Sequence, residues 1–191
     1  PSAYAMGKIT GNEFNPAISL TLDGRYTDID SSALELPGFQ LGGEAGLPAN
    51  GFATGHNELS ISANVDDKFY GLLSTVILYS GNETHIELEQ AYVETLQLGS
   101  GWSVKGGRFF SGFGYINGIH DHMHDFADRP LVQDVFLGGH LIDTGVQARW
   151  IAPTDFYLQL GAELTQGTAF PGGDNADGNE GLGLFVKTGG D

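Results

Sequence analysis

The sequence predicts an all-β fold, an antiparallel transmembrane β-barrel of which about eight strands are present. Three observations lead there: stretches in which apolar and polar residues alternate, a high share of glycine, and connections whose lengths are sorted by side. The 30 glycines among 191 residues are about twice the usual share and recur beside aromatics and short apolar runs. That pattern favours strands and turns over helices.

In chain order, Pro16 to Arg25 alternates cleanly, with Ile18, Leu20 and Leu22 facing one way and Ser19, Thr21, Asp23 and Arg25 the other. His56 to Asp66 repeats this, with Leu59, Ile61, Ala63 and Val65 against Glu58, Ser60, Ser62, Asn64 and Asp66. Lys68 to Tyr79 is apolar on both faces. Thr84 to Leu96 sets Ile86, Leu88 and Tyr92 opposite His85, Glu87 and Glu89, but Gln90 and Glu94 fall on the apolar side. Trp102 to Phe110 and Gly145 to Ile151 are short and rich in aromatics. Lys105 and Arg108 lie on opposite faces unless a bulge intervenes at Gly106-Gly107. Phe156 to Thr165 sets Phe156, Leu158, Leu160, Ala162 and Leu164 against Tyr157, Gln159, Glu163 and Thr165, and Leu182 to Lys187 begins a further strand. Period-two patterning places one face in an apolar phase and the other in a polar one.

The connections supply the membrane argument. Asp66-Asp67, residues 98–101 and residues 152–155 are tight turns on one side. On the other side, residues 26–55, 111–140 and 166–181 are long, with residues 80–83 the short exception. Transmembrane barrels sort their loops in this way, whereas a soluble sandwich has no reason to. The last residues, Lys187 to Asp191, do not read as a closing strand, so the sequence is expected to be part of a larger barrel. Residues 1–14 form an N-terminal extension and 15–191 the N-terminal portion of the barrel. The opening Ala3-Tyr4-Ala5 is like a signal-peptidase site.

Composition excludes several classes. With 8 Lys and Arg against 24 Asp and Glu, and a net charge of −16, the chain lacks the basic surface that nucleic-acid binding needs. There are no cysteines, so disulfides and thiolate metal sites are absent. No stretch reaches the roughly 18 consecutive apolar residues of a membrane-spanning helix. Catalysis has little support: Ser111 lacks the nucleophile elbow, and Gly112-Phe113-Gly114 reads as a bend where a strand leaves the sheet. The chain is therefore not expected to be an enzyme.

The sharpest local feature is His120-Asp121-His122-Met123-His124-Asp125 in the long 111–140 connection. Three alternate histidines beside carboxylates, with His140 beyond, suit a divalent ion such as zinc or copper. In an extended segment His120, His122 and His124 would share one side, with Asp121, Asp125 or His140 completing the set. The competing view is a solvated polar loop. Asp28, Asp30, Glu35 and Glu44 make the first long connection acidic, and Asp174, Asp177 and Glu180 the last. The stretch 174–180 lacks the spacing of a calcium-binding EF-hand loop. The polar strand faces would line a lumen, with Asp23, Glu58, Glu87, Glu89 and Glu163 as inward acids and Arg25 and Arg149 as inward bases.

Several segments together resemble a family of Gram-negative outer-membrane barrels that are described as porin-like or TonB-dependent-receptor-like and are distantly similar to phosphate-selective porins. They are Asn15 to Leu20, Leu36 to Phe39, His56 to Ser60, Asn64 to Tyr70, Gly107 to Tyr115, Asp125-Phe126, Phe136 to Gly139 and Trp150 to Asp155. The resemblance implies a barrel of about sixteen strands in the bacterial outer membrane, with passive or ligand-gated uptake. The chain departs from it in being poor in the Arg and Lys that line phosphate-selective pores, and in having only fifteen residues before the first strand, too few for a receptor plug. The expected function is a porin-like channel for small solutes or ions that tolerates cations. Its partners would be outer-membrane lipid and the solutes themselves, and a homo-oligomer is compatible with it. The alternatives are an outer-membrane metal-binding receptor using the histidine loop, or a soluble all-β binding domain.

Overall fold

Alternation along short glycine-punctuated segments produces an antiparallel sheet whose neighbours in space are neighbours in sequence. The computed structural model describes residues 16–30, 37–38, 50–80, 82–96, 98–126, 129–173 and 181–190. Its strands are β1 (Ala17–Thr21), β2 (Gly24–Thr27), β3 (Gly51–Thr54), β4 (Asn57–Asn64), β5 (Phe69–Ser80), β6 (Glu83–Thr95), β7 (Trp102–Phe110), β8 (Ile142–Ile151), β9 (Tyr157–Thr165) and β10 (Gly181–Gly189). Eight of them form one sheet in the order β1-β4-β5-β6-β7-β8-β9-β10, every pair antiparallel. Among the described residues β1 and β10 each have a single neighbour, so the sheet does not close on itself.

The remaining strands, β2 and β3, pair with each other as a two-stranded sheet that prolongs the β1–β4 hairpin. The expected single strand from Pro16 to Arg25 is therefore interrupted at Leu22-Asp23. Thr21 pairs with Glu58 and Gly24 with Thr54, so two residues face three across the break, and the ladder cannot run through unbroken. The Asp23 main chain bridges it, accepting from Gly55 N–H at 3.0 Å and donating to Asn57 Oδ1 at 3.1 Å.

The two faces differ in kind. One carries Ile18, Leu20, Leu59, Ile61, Leu73, Ile86, Val146, Leu160, Leu164, Leu182 and Leu184, and it is largely exposed, with Leu182 at 73% and Leu184 at 72%. The other carries Glu58, Ser74, Gln90, Gln147, Gln159, Glu163 and Thr165, and these are buried. Soluble proteins show the reverse arrangement. No second sheet covers the apolar face among the described residues.

A bulge settles the irregular strand. Ser74 pairs with Gln90 but Thr75 pairs with Leu88, which leaves Glu89 as an extra residue in β6. The phase shifts there. Glu87, opposite Val76, and Gln90, Tyr92 and Glu94, opposite Ser74, Leu72 and Tyr70, all belong to the polar face. Tyr92 thus lies with the polar residues, not with Ile86 and Leu88. No such shift occurs at Gly106-Gly107: Lys105 pairs with Glu94 and Gln147 on the polar face, and Arg108 points the other way.

Connections sort by end of the sheet. β4–β5, β6–β7 and β8–β9 are joined by short turns at one end. At the other end the long 111–141 connection contains the helix α1 (Leu131–Leu137), stopped by Gly138 in the left-handed conformation at φ 65°. This helix is absent from the sequence expectation, because seven residues are too few for helical periodicity to show. Residues 1–15, Glu35, Glu44, Asp174, Asp177 and Glu180 lie outside the described residues.

Candidate functional site

The 111–141 connection folds back over the polar face and meets strands from β4 to β10. Near its start, Glu163 of β9 accepts from Gly112 N–H at 3.1 Å, from Gln147 Nε2 at 2.9 Å and from the Ser111 hydroxyl. The ring of Phe185 on β10 occupies the space that a Cβ at Gly112 or Gly161 would fill, so glycine at both positions lets the ring seat. Asn117 clamps the two ends: its amide donates to Ser111 O and Leu141 O, both at 3.0 Å, and accepts from Leu141 N–H at 2.7 Å. Asn117→Ala strands those buried backbone groups, at a cost of about 1–3 kcal/mol. The expected result is faster proteolysis within residues 111–141 and unchanged cleavage of the turns at the opposite end.

The histidines do not share one side. The segment is not extended: Asp121–Met123 forms a single 3-10 turn, with Met123 N–H bonded to His120 O. The turn sends His120 and His122 toward the sheet and His124 toward the body of the connection. His120 Nδ1 lies 3.0 Å from Glu58 Oε2 and 3.2 Å from Glu89 Oε2, and His122 Nδ1 lies 3.3 Å from Glu58 Oε2. Ser74 Oγ reaches both carboxylates, at 2.9 Å to Glu58 and 3.1 Å to Glu89. Burial opposes charge on His120, but the Glu58 and Glu89 carboxylates outweigh it and raise the imidazole pKa to about 9.

A second group centres on Asp121. Arg129 donates to both of its oxygens, His140 Nε2 lies at 3.0 Å and His56 Nδ1 at 3.3 Å. Burial would raise the Asp121 pKa, but His140 and Arg129 hold it well below the usual carboxylate range. His124 and His140 place ring nitrogens near the same carboxylate, and His124 Nε2 is buried without a hydrogen-bond partner. Asp125 is exposed and belongs to neither group.

Of the other predicted residues, Glu58, Glu87, Glu89, Arg149 and Glu163 stand on the polar face of the eight-stranded sheet, and Glu87 is exposed. Asp23 and Arg25 do not. Asp23 sits in the break after β1, and Arg25 is an exposed residue of the two-stranded extension. Asp121, Arg129, His56 and Asn117 carry the site's architecture, and sequence reasoning missed most of it. The spacing of His56 to Glu58, two residues apart at the start of a strand, was the one available signal.

Farther toward the short-turn end, the polar face carries bases. Arg149 pairs with Glu94, and Lys105 Nζ lies 3.7 Å from Glu94 and 4.3 Å from the centre of the Tyr92 ring. Lys187 also belongs to this face, opposite Gln159.

These features define an all-β antiparallel sheet with an exposed apolar face and a polar face partly filled by its own connection. No family model and no solved structure matches the chain. An uncharacterised protein of Aquifex aeolicus (strain VF5) is similar to it, with 39% identity over 176 residues. The match covers 86% of this chain and 36% of that protein, so the chain spans about a third of the length of this relative.

Proposed function

We propose that this chain forms part of the wall of a porin-like channel in a bacterial outer membrane, admitting small solutes and favouring cations. The observation that carries this reading is the inversion of the two faces. A continuous apolar face left exposed, backed by buried Glu, Gln and Ser, is stable when hydrocarbon covers the first and water fills the space before the second. Aromatics mark the edges of the band: Trp102 and Trp150 stack at 6.2 Å at the short-turn end, and Tyr79 stands exposed at the other. The rise from Phe69 to Tyr79, at about 3.3 Å per residue and about 40° of tilt, is roughly 25 Å, which matches the apolar band of such barrels.

The cation preference rests on where charge lies. Glu58, Glu87, Glu89 and Glu163 cluster toward the long-loop end, whereas Arg149 and Lys105 lie deeper and are tied to Glu94. Glu87 is exposed at that end, and Glu58, Glu89 and Glu163 beneath the connection act on an entering solute through their field. The test is reconstitution of the full-length protein in a planar bilayer under a salt gradient. The expected result is stepwise conductance with a reversal potential on the cation side, growing as salt is lowered because exposed charges are then less screened. Anion selectivity at low salt would reject the preference. A protein that stays monomeric without detergent and never conducts would reject the membrane reading.

A further inference from the structure

We propose that Glu58, His120 and His122, with Glu89 beside them, form a binding site for one divalent transition-metal ion of the zinc class. Glu58 comes from β4, Glu89 from the bulge in β6, and the histidines from the 111–141 connection. The side chains of Glu58 and Glu89 are 9% and 10% exposed, so two carboxylates stand largely out of water around one serine hydroxyl. Such a pair requires positive charge, of which an imidazolium at His120 supplies one unit against two carboxylates. Arg129 does not serve, because its guanidinium is held by Asp121.

The spacing fits a metal. Ligands about 2.0–2.1 Å from a tetrahedral zinc are separated from one another by about 3.3 Å. Glu58, His120 and His122 bring ligand atoms within 4.8 Å of one another, with His120 Nδ1 and His122 Nδ1 at 3.0 and 3.3 Å from Glu58 Oε2, and Glu89 Oε2 lies 3.2 Å from His120 Nδ1. His120 Nδ1 is buried and beside two carboxylate oxygens, yet it makes no hydrogen bond. One acceptor placed between them satisfies all three. On the far side of the ring, His120 Nε2 lies 3.2 Å from the amide nitrogen of Gln90. A half-turn of that amide lets its oxygen accept the Nε2–H, which leaves the Nδ1 lone pair free for the ion, the usual outer support of a ligating histidine. Two imidazoles and a carboxylate are a borderline donor set that suits zinc better than calcium or magnesium. The second group, Asp121 with His124 and His140, is the weaker candidate because the guanidinium already compensates its carboxylate.

The ion would join two wall strands to the long connection, and the site stands independently of the channel reading. The experiment titrates zinc alone into the full-length protein in detergent, followed by calorimetry, with cobalt as the coloured substitute read by visible absorption. One ion per chain is expected. His120→Gln and His122→Gln should each weaken binding by at least the about 10–100-fold that loss of an outer-shell partner costs, and His124→Gln should leave it unchanged. His122 lies at the rim, so its variant keeps the test valid where His120→Gln disturbs the fold; retention of the wild-type heat-induced shift on a gel establishes this. Zinc binding equal to wild type in the folded His122→Gln protein, or loss only in His124→Gln, would overturn the proposal. Because no conductance is measured, failure here leaves the channel reading intact.

Discussion

Leu160→Arg should destabilise the protein by about 2–4 kcal/mol when it is folded in a lipid bilayer, the range for arginine at the midplane of a barrel wall. Leu160 stands near the middle of β9, opposite Trp150 and Val186, on the apolar face, and is 39% exposed. In a water-soluble sheet the same change at a part-exposed site would cost within about 0.5 kcal/mol. The two environments therefore predict effects that differ several-fold, and denaturant unfolding of the variant in lipid vesicles separates them. A loss below about 0.5 kcal/mol would mean that water, not hydrocarbon, covers this face.

Removing the hub of the long connection should have a comparable effect at a different place. Asp121→Ala leaves Arg129, His140 and His56 facing one another without the carboxylate that joins them. The Arg129 side chain is 11% exposed and that of His140 3%, so water replaces the lost partner poorly. The expected cost is about 3 kcal/mol, the lower end for breaking a buried ion pair because Asp121 itself is partly open. The measurement is hydrogen exchange: protection should fall in residues 111–141 and persist in β8 and β9. Loss of protection across the whole sheet would show that the connection holds the wall together instead of resting on it.

The antiparallel sheet was largely legible in the sequence, and the site was not. Strands such as Phe156 to Thr165 announce themselves because a two-phase environment forces alternation at every residue, and β9 keeps the expected faces. Glu58 and Glu163 could be placed on the polar face for the same reason. The site depends on a connection whose path no periodicity encodes. One 3-10 turn at Asp121–Met123 sends His122 and His124 to different partners, although their spacing invites a shared side. Asn117 looks like any loop asparagine in the sequence, and only its contacts with Ser111 and Leu141, 6 and 24 residues away, give it a role. The β2–β3 extension escaped because its four-residue strands are too short to establish a pattern.

The extra residue at Glu89 makes β6 a strand with two reading frames. Above it, odd-numbered positions such as Glu87 belong to the polar side; below it, even-numbered positions such as Gln90, Tyr92 and Glu94 do. Deleting that one residue would merge the frames. Leu88 and Gln90 would then be consecutive, as their partners Thr75 and Ser74 are, and every other side chain would keep its face; deleting any other single residue inside β6 would turn one half of the strand over. A lineage could therefore shorten this strand at its ends, by two residues within it, or by the one residue at the bulge, far more readily than by one residue elsewhere in it. The position is a punctuation mark in the sheet, and its loss would remove the carboxylate beside Ser74 and His120 without disturbing the count.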